Sequence, residues 1–122
     1  MDLKACYIAL GGDFDEVMGR LHREQIVEKF ILKFLDDDSF RLLKESIDNG
    51  NYEEAFRAAH TIKGICQNLS FTKLYKSSNL MTEAFRNGKP KDAEKLLPQV
   101  SCDYLQTIEA IKKYRDSLEE MV

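Results

Sequence analysis

The stretch AAHTIKGICQNLSF, Ala58 to Phe71, sets an imidazole, an ammonium and a missing side chain within about one helical turn. These are His60, Lys63 and Gly64. An imidazole ordinarily titrates just below cellular pH, so one left in water keeps a ring-nitrogen lone pair that can act as a nucleophile. A lysine three residues on is its neighbour on a helix surface and can meet negative charge arriving on the ring. Glycine inside a helix costs about 1 kcal/mol relative to alanine, so Gly64 asks for a reason. A notch through which another protein's backbone or carboxylate reaches the ring supplies one. Together the three describe a phosphoryl acceptor better than a metal ligand or a general base, because phosphoryl transfer asks chiefly for positioning and charge neutralisation.

Winding this segment at about 100° per residue collects Ala55, Ala58, Ala59, Ile62, Ile65, Cys66 and Leu69 into one sector. That sector is the expected buried face. Glu53, Phe56, Arg57, Lys63, Gly64 and Gln67 fall on the side of His60, which is therefore expected to face solvent. Gln67 lies within about 20° of His60 and can hydrogen-bond a phosphoryl group or crowd its approach. Phe56, one turn before the histidine, is a candidate docking residue for a partner's apolar surface, and Arg57 a candidate for pairing with a partner's acids. Each also has a plainer reading as an ordinary residue of a solvated face.

The elements that must position this face read as helices. Val27, Phe30, Ile31, Phe34 and Leu35 form an amphipathic stripe, which Asp36 to Ser39 break before a second helix through Phe40, Leu43 and Ile47. In DNGNYEE, Gly50 suits a left-handed helix end, Asn51 an N-cap, and Glu54 a capping-box partner, so the helix bearing His60 should start near Tyr52. Leu69 to Thr72 make a short break. The next helix is expected to turn Leu74, Leu80, Met81, Ala84 and Phe85 inward and to end at Gly88. Pro90 suits a helix start, while Pro98 implies either a kink or two helices before the run Val100, Tyr104, Ile108, Ile111, Leu118. GGDFDEVMGRL reads as a shorter helix across one end of the molecule, turned by Gly11 and Gly12 and capped by Asp13. No stretch alternates with period two, so the expected class is all-α. Short connections favour antiparallel neighbours.

At 122 residues the chain has the size of one domain with its own core, taken here as residues 1–122. Its 18 Lys and Arg against 21 Asp and Glu give a net charge of −3, without the basic stripe that tracks a phosphate backbone, so nucleic acid is not an expected partner. Cys6, Cys66 and Cys102 are odd in number and lack CxxC spacing, which fits a reducing compartment and neither a disulfide framework nor a zinc site. The N-terminal MDLKACYIAL is too short in apolar run for a secretory signal, and IVEKFILKFL is interrupted by charges, so no membrane association is expected and the reading is cytoplasmic. His22 and His60 lack metal-ligand spacing, and the aspartate run lacks the alternation of a calcium loop. His22, in LHREQ, reads as a surface residue. No phosphate-binding glycine loop is present, so the chain is not expected to be an enzyme with its own kinase or nucleotide site.

His60, Ile62, Lys63 and Gly64 reproduce the H-x-[LI]-K-G core of the histidine-containing phosphotransfer (HPt) domain, and Asn68 and Leu69 agree with residues that commonly follow it. GGDFDEVMGRL, KFILKFLDD, NYEEAFRAAH and NLMTEAFRNG resemble its flanking helices, so the resemblance covers about residues 11–120. It implies an antiparallel four-helix bundle with a short additional N-terminal helix. It also implies a phosphorelay carrier that exchanges a phosphoryl group between His60, through Nε2, and the aspartate of a response-regulator receiver domain. A hybrid histidine kinase is a further implied partner. Lys63 would be the charge partner, Gly64 the access notch and Gln67 a phosphate contact. The chain would bind no cofactor of its own, the Mg2+ belonging to the receiver, and a monomer suffices. Ile65, Gln67 and Ser70 depart from the family's usual small residue and glycines. The alternative is a helical module that docks receivers without carrying phosphate.

Overall fold

The computed structural model describes residues 1–120, and these fold as eight helices with no strand. They are α1 (Leu3–Leu10), α2 (Phe14–Leu21), α3 (Glu24–Phe34), α4 (Ser39–Asp48), α5 (Tyr52–Leu69), α6 (Thr72–Arg86), α7 (Pro90–Lys95) and α8 (Leu97–Glu120). The all-helical class matches the expectation, but two short helices, not one, precede α3, and the short α7 separates α6 from α8. Among the described residues no helix is long and apolar enough to cross a membrane.

Most of the N-terminal decapeptide, Leu3–Leu10, is a packed helix. Asp2 caps α1 by accepting from the Ala5 amide at 2.8 Å, and Leu3, Cys6, Tyr7 and Leu10, at helical spacing, are all buried. α1 runs antiparallel along α8: the Met1 amine meets Ser117 at 3.2 Å, the Cys6 thiol faces the Ala110 carbonyl, and Gln106 donates to the Ala9 carbonyl at 2.9 Å. Gly11 closes α1 at φ +77°, and Asp13 caps α2 through the Glu16 amide at 3.0 Å.

α5 is the central helix, packed between α4 and α6. Gly50 adopts φ +69°, and the Asn51 side chain accepts from the Glu54 amide at 3.2 Å, so α5 starts at Tyr52. The capping box is not reciprocal: the Asn51 amide bonds to the Ser46 carbonyl, while the Glu54 carboxylate pairs with Arg57. Asp37, within the aspartate run, accepts from the Ser39 amide at 2.9 Å and starts α4. Tyr52 at the head of α5 lies beside Phe85 at the tail of α6, so these two helices are antiparallel. Of the two readings of Pro98, the structure shows two helices: α7 ends at Lys95 and α8 begins at Leu97, with Pro98 its second residue, where a missing N–H is harmless.

Two inward expectations, Leu80 and Phe30, need correction, while others, Ile65, Ala84 and Phe85 among them, pack against the core only partly buried. Leu80 is 59% exposed, because it sits about 100° around α6 from buried Met81. The inner face of α6 instead buries Ser77, Ser78 and Thr82. Their hydroxyls donate to carbonyls three or four residues back, Ser78 to Leu74 at 2.7 Å and Thr82 to Ser78 at 2.7 Å, so no unsatisfied polar group accompanies the burial. Phe30 lies at the edge of the α3 stripe and is 41% exposed, while Val27, Ile31 and Phe34 are buried.

Candidate functional site

α5 is held at both ends, which fixes the residues in its middle. The Asn51 cap secures the N-terminus. At the other end Arg20 of α2 donates from one nitrogen to the carbonyls of Gln67 and Asn68, at 3.0 and 2.8 Å, and to the Ser70 hydroxyl at 3.0 Å. These carbonyls are among the four that a helix C-terminus leaves without intrahelical partners, and a cation there also suits the helix dipole. Ser70 is left-handed, at φ +56°, a conformation that disfavours side chains by about 1–2 kcal/mol. Its hydroxyl offsets this by donating to Glu16 at 2.7 Å. The clamp accounts for a serine where glycine is usual.

Between these anchors His60 is exposed, on the face opposite buried Ala58, Ala59 and Ile62. Its ring stacks on Phe56, with centroids 6.1 Å apart and planes at 27°. Phe56 is half-buried and carries the Arg86 guanidinium over its ring, 5.4 Å from the centroid. It is therefore a wall of the histidine's surroundings more than a free-standing aromatic. Arg57 bonds to Glu53 and Glu54 at 3.1 and 2.9 Å, two exposed pairs of its own helix.

Lys63 folds back against α6. Its side chain is only 19% exposed and its Nζ lies 3.7 Å from Glu83 Oε1, an oxygen that also accepts from Arg86 Nε at 3.2 Å. Gly64 is different in kind: a Cβ added there would meet nothing within 4 Å. No packing contact inside the chain requires glycine at that point. Gln67 is exposed along the same face, with its backbone carbonyl held by Arg20.

On the Gly64 flank, one turn further at Asn68, α5 borders a groove of about 430 Å³ formed with α2 and α3. Leu21, Phe30, Phe34 and Ile65 give it an apolar lining, with Lys33 and Asp37 also at its wall. His60 thus stands on a ridge, with an open apolar groove on one side and the Lys63, Glu83, Arg86 cluster on the other. Among the described residues no three His, Cys, Asp or Glu side chains gather as metal ligands.

Sequence periodicity places His60, Lys63, Gly64 and Gln67 on one face, and the structure brings them there. It does not reveal Glu83, Arg86 or Arg20. EAFR carries an ordinary three-residue charge pair, and only the packing of α6 against α5 brings it to Phe56 and Lys63. Arg20 reaches the end of α5 from a helix far away in sequence, and no local pattern announces it.

Of three comparisons with known proteins, a family model described as Hpt domain matches residues 25–120. No curated protein and no solved structure matches the chain.

Proposed function

Because the chain belongs to the Hpt domain family, a family of phosphocarrier modules, we propose that it carries a phosphoryl group on His60 in a two-component phosphorelay. The exchange is with the aspartate of response-regulator receiver domains, and a hybrid histidine kinase is a further partner. The observation that carries this reading is an exposed imidazole beside a glycine whose missing side chain opens only onto solvent.

In the forward step the Nε2 lone pair of His60 attacks the phosphorus of the receiver's aspartyl phosphate. The N–P bond forms as the acyl-phosphate P–O bond breaks, and that bond's electron pair stays on the carboxylate. Nδ1 keeps its proton throughout, so the step needs no general base. The reverse step returns the group. What this chain contributes is placement: a clamped helix holds the ring still, and Gly64 leaves room for the receiver's backbone. Lys63 faces the incoming charge, and the Gln67 amide donates to a phosphoryl oxygen. The apolar groove beside Asn68 seats part of the receiver, which supplies the aspartate and Mg2+. The reading takes residues 1–122 as one HPt-like unit acting as a cytoplasmic monomer, without a cofactor, nucleic acid or membrane of its own.

The test is incubation with a phosphorylated receiver. The expected product is an acid-labile, alkali-stable phosphate on this chain, absent in His60→Gln. Binding of receivers without any transfer of phosphate would instead assign the chain to the class of docking modules.

A further inference from the structure

Lys63, the cation that the proposed function turns toward phosphate, already holds an anion. Glu83 Oε1 lies 3.7 Å from its Nζ, and the same oxygen accepts from Arg86 Nε at 3.2 Å. Arg86 covers Phe56, and Phe56 stacks on His60. One carboxylate therefore sits between two cations on the α6 side of the ring. A site built only to retain a dianion gains nothing from a fixed negative charge there, since like charges repel at this range and the cation it occupies is withdrawn.

We propose that Glu83 is a positioning residue that acts through Lys63: it competes with the phosphoryl group for the ammonium and so keeps phospho-His60 ready to give the group up. This rests on His60 being the phosphoacceptor. When the phosphoryl group arrives, Lys63 exchanges the Glu83 carboxylate for it, and Arg86 keeps Glu83 partnered. When the group leaves, the N–P bond breaks with its electron pair remaining on Nε2, and a P–O bond forms to the receiver's aspartate carboxylate. No proton moves between chains. Lys63 then returns to Glu83. The carboxylate raises the free energy of the phosphorylated form and shifts the exchange toward the receiver. Glu83 is 42% exposed, so solvent screens the effect and keeps it modest.

The experiment compares wild type, Glu83→Gln, Lys63→Ala and the double variant, with Glu109→Gln on exposed α8 surface as a charge control. Each is phosphorylated both by phosphoramidate, a small donor that needs no docking, and by a phosphorylated receiver. 31P NMR follows the equilibrium ratio and the hydrolysis of the phosphohistidine. Glu83→Gln is expected to move the equilibrium toward phospho-His60 by about three-fold, the scale of one exposed ion pair. The shift should largely vanish in the Lys63→Ala background, as a double-mutant cycle reads it. In wild type the Lys63 ammonium 15N resonance should move on phosphorylation, and in Glu83→Gln it should start displaced. An equilibrium unchanged in Glu83→Gln, or shifted toward the receiver, overturns the proposal while leaving the carrier reading intact. Failure of wild type to take phosphate from either donor overturns both.

Discussion

Gly64 faces two demands that a single substitution separates. An added Cβ meets nothing within 4 Å, so Gly64→Ala costs no packing and gains helix propensity of about 1 kcal/mol. Its midpoint of thermal unfolding is expected to rise by about 4 °C in a chain of this length. The same methyl stands where a receiver's backbone must come, so transfer from a phosphorylated receiver should slow, and Gly64→Gln should slow it further. Phosphorylation by phosphoramidate, which asks for no such approach, should change less. A Gly64→Ala variant that is stabilised and transfers at the wild-type rate would remove the notch from the mechanism. At this scale sequence spacing reveals what one helix can bring together. His60, Lys63, Gly64 and Gln67 share a face because 3.6 residues make a turn, a fact available without coordinates. Glu83 and Arg86 reach Lys63 and Phe56 only through the packing of a second helix, and spacing carries no information about that.

Among the elements, the corner between α1 and α2 supports the far end of α5. A Cβ on Gly12 would fall 2.7 Å from the Ser70 carbonyl oxygen and 2.8 Å from the Tyr7 and Leu10 side chains. The Asp13 amide next to it donates to that same carbonyl at 2.9 Å. Gly12→Ala must push α1 or the end of α5 aside, and is expected to destabilise the fold by about 2 kcal/mol in urea unfolding. Arg20→Ala leaves two helix-terminal carbonyls and the Ser70 hydroxyl without their donor. Because Arg20 is partly exposed and water replaces some of those bonds, about 1 kcal/mol is expected, again read by urea unfolding. Equal stability of Gly12→Ala and wild type would show that the corner yields freely. The caps were legible here because their chemistry is local: Asp13, Asn51 and the left-handed Gly50 and Gly88 act within a few residues. α1 carried the same kind of signal, an aspartate cap and apolar residues at helical spacing, but in a stretch short enough to pass as a plain terminus. Leu80 misleads for another reason. Hydrophobicity suggests an inward leucine, yet the inner face of α6 is filled by small hydroxyl residues whose donors are satisfied along their own helix.

For the molecule as a whole, the buried acid groups that favour their neutral forms tie stability to alkaline pH. The Cys6 thiol lies fully inside the contact of α1 with α8, and burial pushes it from 9.0 up to about 11. It is held near the Ala110 carbonyl at 3.6 Å, a contact only the protonated thiol can donate. Cys66, under the face opposite His60, is likewise raised, by burial and then by the charge of Asp37. Tyr7 is raised chiefly by burial, and Tyr114 by burial and then by its bond to Glu28. In each case the folded chain holds its proton where the unfolded chain has released it. The unfolded state therefore binds fewer protons, and stability falls with rising pH. The loss is negligible well below pH 9, where both states keep their thiols protonated, and sets in as pH approaches 9. For Cys6 it accumulates between 9 and about 11 at roughly 1.4 kcal/mol per pH unit, Cys66 adding a similar slope over a window that opens at the same point. Urea unfolding followed by circular dichroism, with reductant present, should give a nearly constant stability from pH 7 to 8.5 and a steep decline above 9. Cys6→Ala lowers the plateau through its lost packing, but it removes one of the two thiol contributions and should make the decline above pH 9 visibly shallower. Parallel declines in wild type and Cys6→Ala would mean that the α1 thiol is not what couples the fold to alkaline pH.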